Sequence, residues 1–427
     1  MTLRSHRAVL LVVFCLMAVA GCRADAPSLA AADVADDESP AELVDMVREL
    51  LPRIERLSGL DRVAVLRIRY QDRDAARRYV QDRLDTEMPP ERLDGVRRSY
   101  VALGLLADTL DLRSLLLDLY TEQVLGYYDP GTETLYIIQG EELESLRPVV
   151  AHELVHALQD QHTNLDSLVA QERGNDRQTA AHAALEGHAM VVMFAVLAEA
   201  ATRRTVDPAA LPNPADELGP ALSAQTEQFP VFRRAPRIIR ETLLFPYISG
   251  SDFVWQLWRS LEGLDRYPAP LDTLLPQSTA QVMRPVERFV RDRREPVELR
   301  LESVPAGWTA SYENTLGQLE TAIFLGQHLG PEGGASAHGW AGDRYALLTD
   351  DTGRDVLHWV SVWETEDDAA RFADAVSRAA ARRASRRVSV TREDIAGTTA
   401  IRIVDAPAQP GEAAQPLPRF RVVTPYD

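Results

Sequence analysis

The pentapeptide HELVH at residues 152–156 constrains this chain more than any other feature of its sequence. It lies in an apolar stretch after Pro148, a pattern that predicts a helix with the proline in its first turn. Two histidines four residues apart project from the same face of a helix, so His152 and His156 can both reach one metal ion. Zinc lowers the pKa of a bound water to about 7, and the carboxylate of Glu153 can take the proton of such a water.

A zinc site needs a third protein ligand, and two residues are candidates. Glu186 lies in a small and apolar stretch of a predicted helix over residues 176–201, where a buried carboxylate needs a cationic partner. His162 occupies the position of the third histidine in the pattern HExxHxxGxxH. Gln159 stands where that pattern has its glycine, so a continuing helix turns His162 away from the motif. We therefore favour Glu186 and keep His162 as the alternative.

Five other side chains are candidates for supporting roles at such a site. His182 lies one helical turn before the candidate glutamate and His188 two residues after it, and either can orient a ligand or donate to developing charge. Tyr127, Tyr128 and Tyr247 are candidate oxyanion stabilisers, because a phenol can donate a hydrogen bond. For each of these residues, the alternative interpretation is that the side chain only packs in the core or lies at the surface.

Charge and residue usage exclude several classes of function. The chain has 427 residues, of which 45% are hydrophobic, so it can bury a sizeable core. Its 46 basic residues are all arginine, and with 64 acidic residues they give a net charge of −18. A general nucleic-acid binder needs a basic face, and Schiff-base chemistry needs a lysine. We therefore expect neither activity and no nucleic-acid partner.

The N-terminal segment predicts export and lipid attachment. Arg4 and Arg7 precede an apolar run over residues 8–19, which is shorter than the roughly 20 residues needed to cross a bilayer. The run leads into the sequence VAGC and resembles a bacterial lipoprotein signal with its lipobox. The resemblance implies a signal peptide over residues 1–21 and acylation of Cys22, which would attach the mature protein to a membrane.

Cysteine usage and composition then limit how the mature chain is held together. The cysteines are Cys15 and Cys22, and the first leaves with the predicted signal peptide while the second carries lipid. No thiol remains for a disulfide or a metal site. Residues 22–40 are rich in alanine, aspartate, serine and proline, which predicts a flexible tether.

Periodicity and turn residues predict an α+β fold in two units. A mostly helical unit with a small antiparallel or mixed sheet is expected over residues 41–295, and a smaller α+β domain over residues 296–405. A polar stretch at residues 288–295 is interpreted as a hinge between them. The last residues, 406–427, are rich in proline and alanine and predict a flexible tail.

Residues 40–300 resemble a group of bacterial lipoproteins and surface proteins with a zincin, gluzincin-like, metallopeptidase domain. The stretches that carry this resemblance, with two from the second unit, are LGYYDPGTETLYI at 125–137, VVAHELVHALQDQH at 149–162, ALEGHA at 184–189, FPYISGSDFV at 245–254, PQSTAQVMRP at 276–285, GWAGDRYALL at 339–348 and VSVWETEDDAARFADAV at 360–376. The chain departs from the group at His188, where an aspartate is usual, and at Arg284, where a histidine is frequent.

The resemblance implies the roles of the site residues. His152, His156 and Glu186 would bind Zn²⁺, and Glu153 would act as the general base. In zincins the edge strand just before the active-site helix pairs with an extended substrate, which implies this role for the predicted strand at residues 134–138. An internal strand, covered on both edges, is the alternative interpretation of that segment.

We therefore expect a membrane-anchored, extracytoplasmic zinc metallopeptidase of the outer membrane or cell surface, with a peptide or protein as substrate. Two alternatives share parts of this interpretation. The first is a non-catalytic envelope lipoprotein that is stabilised by zinc and binds a partner. The second is a zinc amidase that acts on cell-wall peptides.

Overall fold

The computed structural model of the chain describes residues 34–35, 40–168, 173–226, 229–261, 263–264, 266–395, 397–408 and 417–423. The predicted signal peptide over residues 1–21 and the candidate lipidation residue Cys22 lie outside these residues. The described chain is an α+β protein, which confirms the predicted fold class. Helices dominate its first part, and its largest sheet lies in the last part.

Amphipathic helices form most of the first unit. In chain order they are α1 (Ala41–Ser58), α2 (Arg73–Glu87), α3 (Pro90–Ala102), α4 (Leu112–Gln123), α5 (Arg147–His162), α6 (Leu165–Leu168), α7 (Asn175–Thr202), α8 (Pro214–Thr226), α9 (Pro230–Arg234), α10 (Arg237–Ser260) and α11 (Thr279–Met283). Helix α1 illustrates their origin: Leu43, Val47, Leu50 and Ile54 recur at three and four residues, and all four are fully buried. The helix ends at Gly59, which takes the left-handed conformation common after a helix C-terminus.

A four-stranded sheet precedes the motif helix α5. Its strands are β1 (Val34–Ala35), β2 (Leu66–Gln71), β3 (Gly126–Asp129) and β4 (Thr134–Ile138), in the spatial order β1-β2-β4-β3. Strand β4 pairs in parallel with β2 and antiparallel with β3, so β3 is the edge strand. The prediction that residues 134–138 form a substrate-pairing edge is wrong, because β2 covers the other side of the hairpin. Within the predicted tether, residues 34–35 are paired with β2.

Helix α7 runs through the centre of the fold, with α5 and α10 packed against it. A Cβ atom at Gly187 would lie 2.1 Å from the backbone of Gly250, and one at Gly250 would lie 2.0 Å from the carbonyl oxygen of Ala183. The backbones of α7 and α10 therefore approach closely beside Glu186. Among the described residues α7 is the one helix long and apolar enough to cross a membrane, but 83% of its apolar window is buried, as in a globular core helix.

A five-stranded antiparallel sheet dominates the second unit. The further elements are β5 (Leu299–Ser303), β6 (Trp308–Asn314), α12 (Gly317–Leu329), α13 (Pro331–Gly334), β7 (Trp340–Asp350), β8 (Asp355–Trp363), α14 (Glu366–Ala381), β9 (Arg386–Ile395), β10 (Thr398–Pro407) and β11 (Arg419–Val422). The spatial order of the large sheet is β6-β7-β8-β10-β9. Helices α12 and α14 pack on it and on each other.

The end of the chain is only partly as predicted. Residues 406–427 were expected to form a flexible tail, but β11 pairs antiparallel with β5. Phe420 of β11 is buried in an apolar cluster with Leu299 and Leu348. The tail prediction is therefore wrong for residues 406–407, which end strand β10, and for residues 419–422, where Phe420 packs into the apolar cluster.

The two predicted units share one core and are not joined by a hinge. The segment predicted as a polar hinge, residues 288–295, begins within a π-helical turn over Val286–Arg291. Arg288 is buried, donates to the carbonyl oxygen of Trp340 and pairs with Glu364 at 2.5 Å. The main apolar cluster contains residues of both units. The hinge prediction is wrong, because the buried Arg288 attaches the segment to the second unit and the two units share a core, although residues 290–295 are exposed.

Candidate metal centre

The motif histidines and Glu186 meet in the interior of the protein. Helix α5 carries His152 and His156, the adjacent helix α7 carries Glu186, and these residues are 1%, 2% and 0% exposed. His162 is exposed at the end of α5, and its Nε2 lies 2.7 Å from the carbonyl oxygen of Asp61. The structure thus brings the favoured set together and leaves the alternative ligand outside it.

Three atoms with lone pairs face one another in this cluster. Nε2 of His152 lies 3.1 Å from Nε2 of His156. Oε2 of Glu186 lies 3.0 Å from the first of these nitrogens and 3.4 Å from the second. In a tetrahedral zinc site with bonds of about 2.0–2.2 Å, neighbouring ligand atoms are roughly 3.3 Å apart. The spacing and the donor types therefore fit a zinc ion with one further position open to a substrate or water.

The electrostatics of the cluster favour positive charge at its centre. Burial lowers the pKa of His156, but the Glu186 carboxylate outweighs it and the pKa is raised to about 9. Burial raises the pKa of Glu186, but His156 and the hydrogen bonds from His152, His156 and His182 bring it well below its ordinary value. The carboxylate is therefore ionised and needs a positive partner, which a proton or a metal ion can supply.

Glu153 is held beside the ligand histidines by the edge strand of the first sheet. Its side chain is fully buried, and its Oε2 accepts a hydrogen bond of 3.0 Å from the backbone N–H of Tyr128 in β3. Its negative charge contributes to the raised pKa of His156, so it lies within electrostatic reach of the cluster. A carboxylate that a backbone donor orients beside a metal site can act as a general base.

A chain of hydrogen bonds behind His156 fixes which ring nitrogen faces the cluster. The carbonyl oxygen of Ser58 can only accept, so Nε2 of His188 donates to it at 3.0 Å. Burial lowers the pKa of His188 to about 3, so the ring is neutral and its Nδ1 accepts from the Gln159 amide at 3.0 Å. The Gln159 oxygen then accepts from Nδ1 of His156 at 2.8 Å. Nε2 of His156 is therefore left to act as a ligand atom.

His188 thus has a supporting role that its position in the sequence did not specify. It contacts no ligand directly and acts through Gln159, which also donates to the carbonyl oxygen of Leu185 at 3.1 Å. Sequence reasoning noted Gln159 only as the residue in place of a glycine. The signal that could have identified it is a polar side chain that directly follows the apolar pair Ala157 and Leu158 on the motif helix.

Two of the supporting candidates lie at the cluster itself. Nε2 of His182 is 3.1 Å from Oε1 of Glu186, the carboxylate oxygen that does not face the motif histidines. The ring of Tyr247, from α10, stacks with the ring of His152 at a centroid distance of 6.4 Å. His182 can therefore orient the ligand carboxylate, and Tyr247 borders the cluster from the opposite helix.

The other two tyrosines use their hydroxyl groups elsewhere. The Tyr127 hydroxyl donates to the side chain of Gln71, and the Tyr128 hydroxyl donates to Asp160 at 3.0 Å. The prediction that either phenol stabilises an oxyanion is therefore wrong. Tyr128 contributes through its backbone N–H instead.

A cavity of about 270 Å³ lies beside the cluster, with His182 and Tyr247 in its wall. Most of its lining is apolar or aromatic. The second unit contributes Tyr312, Asn314, Glu320 and Tyr345 to it. Sequence reasoning missed this cavity because its walls come from segments that are far apart in the chain and meet only in the folded protein.

Part of the second unit is similar to a known family. Residues 304–410 match a family described as a domain of unknown function, DUF8575. No curated protein and no solved structure matches the chain. The matched segment contains the four cavity residues of the second unit but none of the three candidate metal ligands.

Proposed function

We propose that this chain is a zinc metallopeptidase that hydrolyses peptide bonds in peptide or protein substrates. The observation that supports this most is the buried group of His152, His156 and Glu186, whose ligand atoms all lie within 4.8 Å of one another. Burying three such side chains at one point is costly unless a cation compensates. A zinc staple needs only these ligands, whereas a hydrolase also needs a base and room for a substrate. Glu153 and the adjacent cavity fit these two requirements.

The chemistry divides between the metal and the residues of this chain. When bound, a zinc ion supplies Lewis-acid activation of water for attack on a peptide carbonyl. Glu153, oriented by the N–H of Tyr128, takes a proton from the attacking water and passes it to the leaving amine. His182 holds the Glu186 carboxylate in place, and Tyr247 is the candidate donor for charge on the carbonyl oxygen.

A Glu153→Gln substitution tests the proposal, because it removes the base and keeps the shape of the side chain and its bond to Tyr128. We expect unchanged zinc content and a fall in hydrolysis of about 10²–10⁴-fold, measured by mass spectrometry on unstructured polypeptides and cell-wall peptides. The matched control is Glu142→Gln, at an exposed glutamate before α5, which should retain full activity.

The outcome also separates the alternatives. A parent protein that holds zinc but cleaves none of these substrates would favour the non-catalytic zinc staple and contradict the proposal. Hydrolysis confined to cell-wall peptides would favour the amidase. Undiminished hydrolysis in the Glu153→Gln variant would show that Glu153 is not the general base.

We also propose that the protein acts outside the cytoplasm, attached to a membrane through acylated Cys22. The supporting observation is the sequence pattern of residues 1–22. Expression of the full chain with Cys22→Ser should move the protein from the membrane fraction to the soluble fraction and abolish labelling by radioactive palmitate. A serine variant that stays membrane-bound would contradict this anchor.

A further inference from the structure

The cavity beside the metal cluster follows one face of helix α7. Asn175, Thr179 and His182 line it at intervals of one helical turn, and the candidate ligand Glu186 lies one turn further on. Eleven residues separate Asn175 from Glu186, which corresponds to about 16 Å along the helix axis. The cavity therefore extends from the cluster to the region where the second unit packs on the first.

The far end of the cavity contains a buried carboxyl group with an unused oxygen. Glu320 of α12 is 4% exposed, and its Oε1 accepts from the Tyr100 hydroxyl and the Asn175 amide, both at 2.7 Å. Its Oε2 is buried and has no hydrogen-bond partner among the described residues. Burial raises the pKa of Glu320 to about 8. A buried acceptor without a partner, on a side chain that lines a cavity, is costly unless a ligand completes it.

The other charged side chains of the cavity already have partners. Arg92 donates to the carbonyl oxygen of Glu87 at 3.1 Å and to Gln178 at 3.4 Å. Glu87 pairs with Arg83 at 2.6 Å. Glu320 is therefore the ionisable group of the cavity that is best placed to bind a new partner. A cationic donor would stabilise its carboxylate form against the burial that raises its pKa, so the site selects a cation.

We infer that this cavity binds a cationic nitrogen of the substrate, with Glu320 as the acceptor. The inference rests on the proposed peptidase function and assigns its substrate class: peptides with a basic group on one side of the scissile bond. The apolar and aromatic walls contact the intervening side chains, and Glu320 recognises an arginine or lysine side chain or a free amino terminus. The second unit thereby supplies the residue that determines substrate specificity, whereas the candidate metal ligands all come from the first unit.

The length of the cavity sets where the basic group lies. An extended peptide covers about 16 Å in roughly five residues at 3.3 Å per residue. A long basic side chain bridges part of that distance, so an arginine is expected two to four residues from the cleaved bond. A free amino terminus has no such reach and is expected four or five residues away.

The test measures binding separately from cleavage. Fluorescent nonapeptides carry one arginine that is moved along the sequence, and each has a twin with neutral citrulline at that position and a further twin with an acetylated amino terminus. Their affinities are measured by fluorescence anisotropy on the zinc-loaded full chain with Glu153→Gln, which lacks the proposed base. We expect the best arginine peptide to bind at least about tenfold tighter than its citrulline twin.

Substitution of the acceptor should remove this preference. Glu320→Gln keeps the size of the side chain and an oxygen for Tyr100 and Asn175, and we expect arginine and citrulline peptides to bind it equally. The matched control Glu332→Gln, at an exposed glutamate of α13, should keep the full preference. The comparison of twins in the protein that retains Glu320 needs no substitution at that residue, so it stands even if Glu320→Gln is unstable.

Each result has one meaning. Equal binding of arginine and citrulline twins at every position, together with no effect of acetylation, overturns the inference. A preference that survives Glu320→Gln also overturns it. Equal binding of the arginine and citrulline twins, with weaker binding of the acetylated peptides, identifies the amino terminus as the bound cation. Preferential binding of arginine peptides without cleavage by the parent protein would support the cation site and contradict the peptidase function. Cleavage by the parent protein without such a preference would support the peptidase function and contradict the cation site.

Discussion

Gln159 is the residue on which the orientation of His156 depends. Its side-chain oxygen accepts from Nδ1 of His156, and its amide donates to His188. A change at Gln159 breaks both contacts, and Nε2 of His156 loses its fixed direction toward Glu186. The hydrogen-bond partners behind metal-bound histidines typically change metal affinity by about 10–100-fold.

We expect Gln159→Leu to weaken zinc binding by about that factor, measured by competition with a chromophoric chelator. The matched control is Gln161→Leu on the same helix. The Gln161 oxygen accepts from the backbone N–H groups of Val63 and Ala64, so its loss should lower the melting temperature without changing zinc affinity. Equal loss of zinc affinity in both variants would mean that Gln159 acts only through overall stability.

The candidate ligands could be predicted from the sequence, and the residues that orient them only in part. The spacing of the motif histidines puts them on one face of any helix, and Glu186 stood out as an acid in an apolar run. His182 and His188 were candidates for orienting a ligand, but the role of Gln159 and its contact with His188 were not predicted. The contacts of Gln159 and His188 join α5, α7 and the end of α1, so they depend on how three helices pack.

Among the contacts between helices and strands, the close packing of α7 against α10 matters most for the candidate metal centre. Gly187 and Gly250 allow the two backbones to touch, next to Glu186 on one helix and Tyr247 on the other. A methyl group at this contact must push the helices apart, because the atoms it meets are backbone atoms. Overpacking of a well-filled core typically costs about 1–3 kcal/mol and sometimes more.

We therefore expect Gly250→Ala to lower the free energy of unfolding by about 1–3 kcal/mol. The same substitution should weaken zinc binding, because Glu186 moves with α7. Guanidinium titration and zinc affinity measure the two effects. Gly219→Ala in α8 is the matched control, since a Cβ there meets no atom within 4 Å. It should be neutral or stabilising by up to about 1 kcal/mol. A Gly250→Ala protein as stable as this control would refute the close contact.

Helices were easier to predict than strand order. The predicted helix over residues 176–201 agrees closely with α7, because its long run of small and apolar residues is a local feature. The segment at residues 134–138 is a strand as predicted, but its place in the sheet was misjudged. The sequence of a hairpin does not show which of its two strands pairs with a third strand. Here the third strand is β2, which lies more than 60 residues earlier in the chain, so no local feature indicated its place.

The two predicted units share one apolar core, and the second unit completes the cavity of the first. Arg98 of α3 pairs with Asp355 of β8, and Arg383 donates to the carbonyl oxygen of Ala102. These contacts bury charge across the predicted boundary near residue 295. Composition alone suggested two units, because charge and periodicity change there, but the shared core and the cavity arise from pairings between residues more than 200 positions apart.

The proposed function requires that residues of α5 and α7 jointly bind one divalent cation. Elemental analysis of the purified protein and of two variants tests this most directly. We expect about one zinc per chain in the parent protein and in His162→Ala, and loss of that zinc in Glu186→Ala. Zinc retained in Glu186→Ala but lost in His162→Ala would contradict the assigned site, and with it the proposed function.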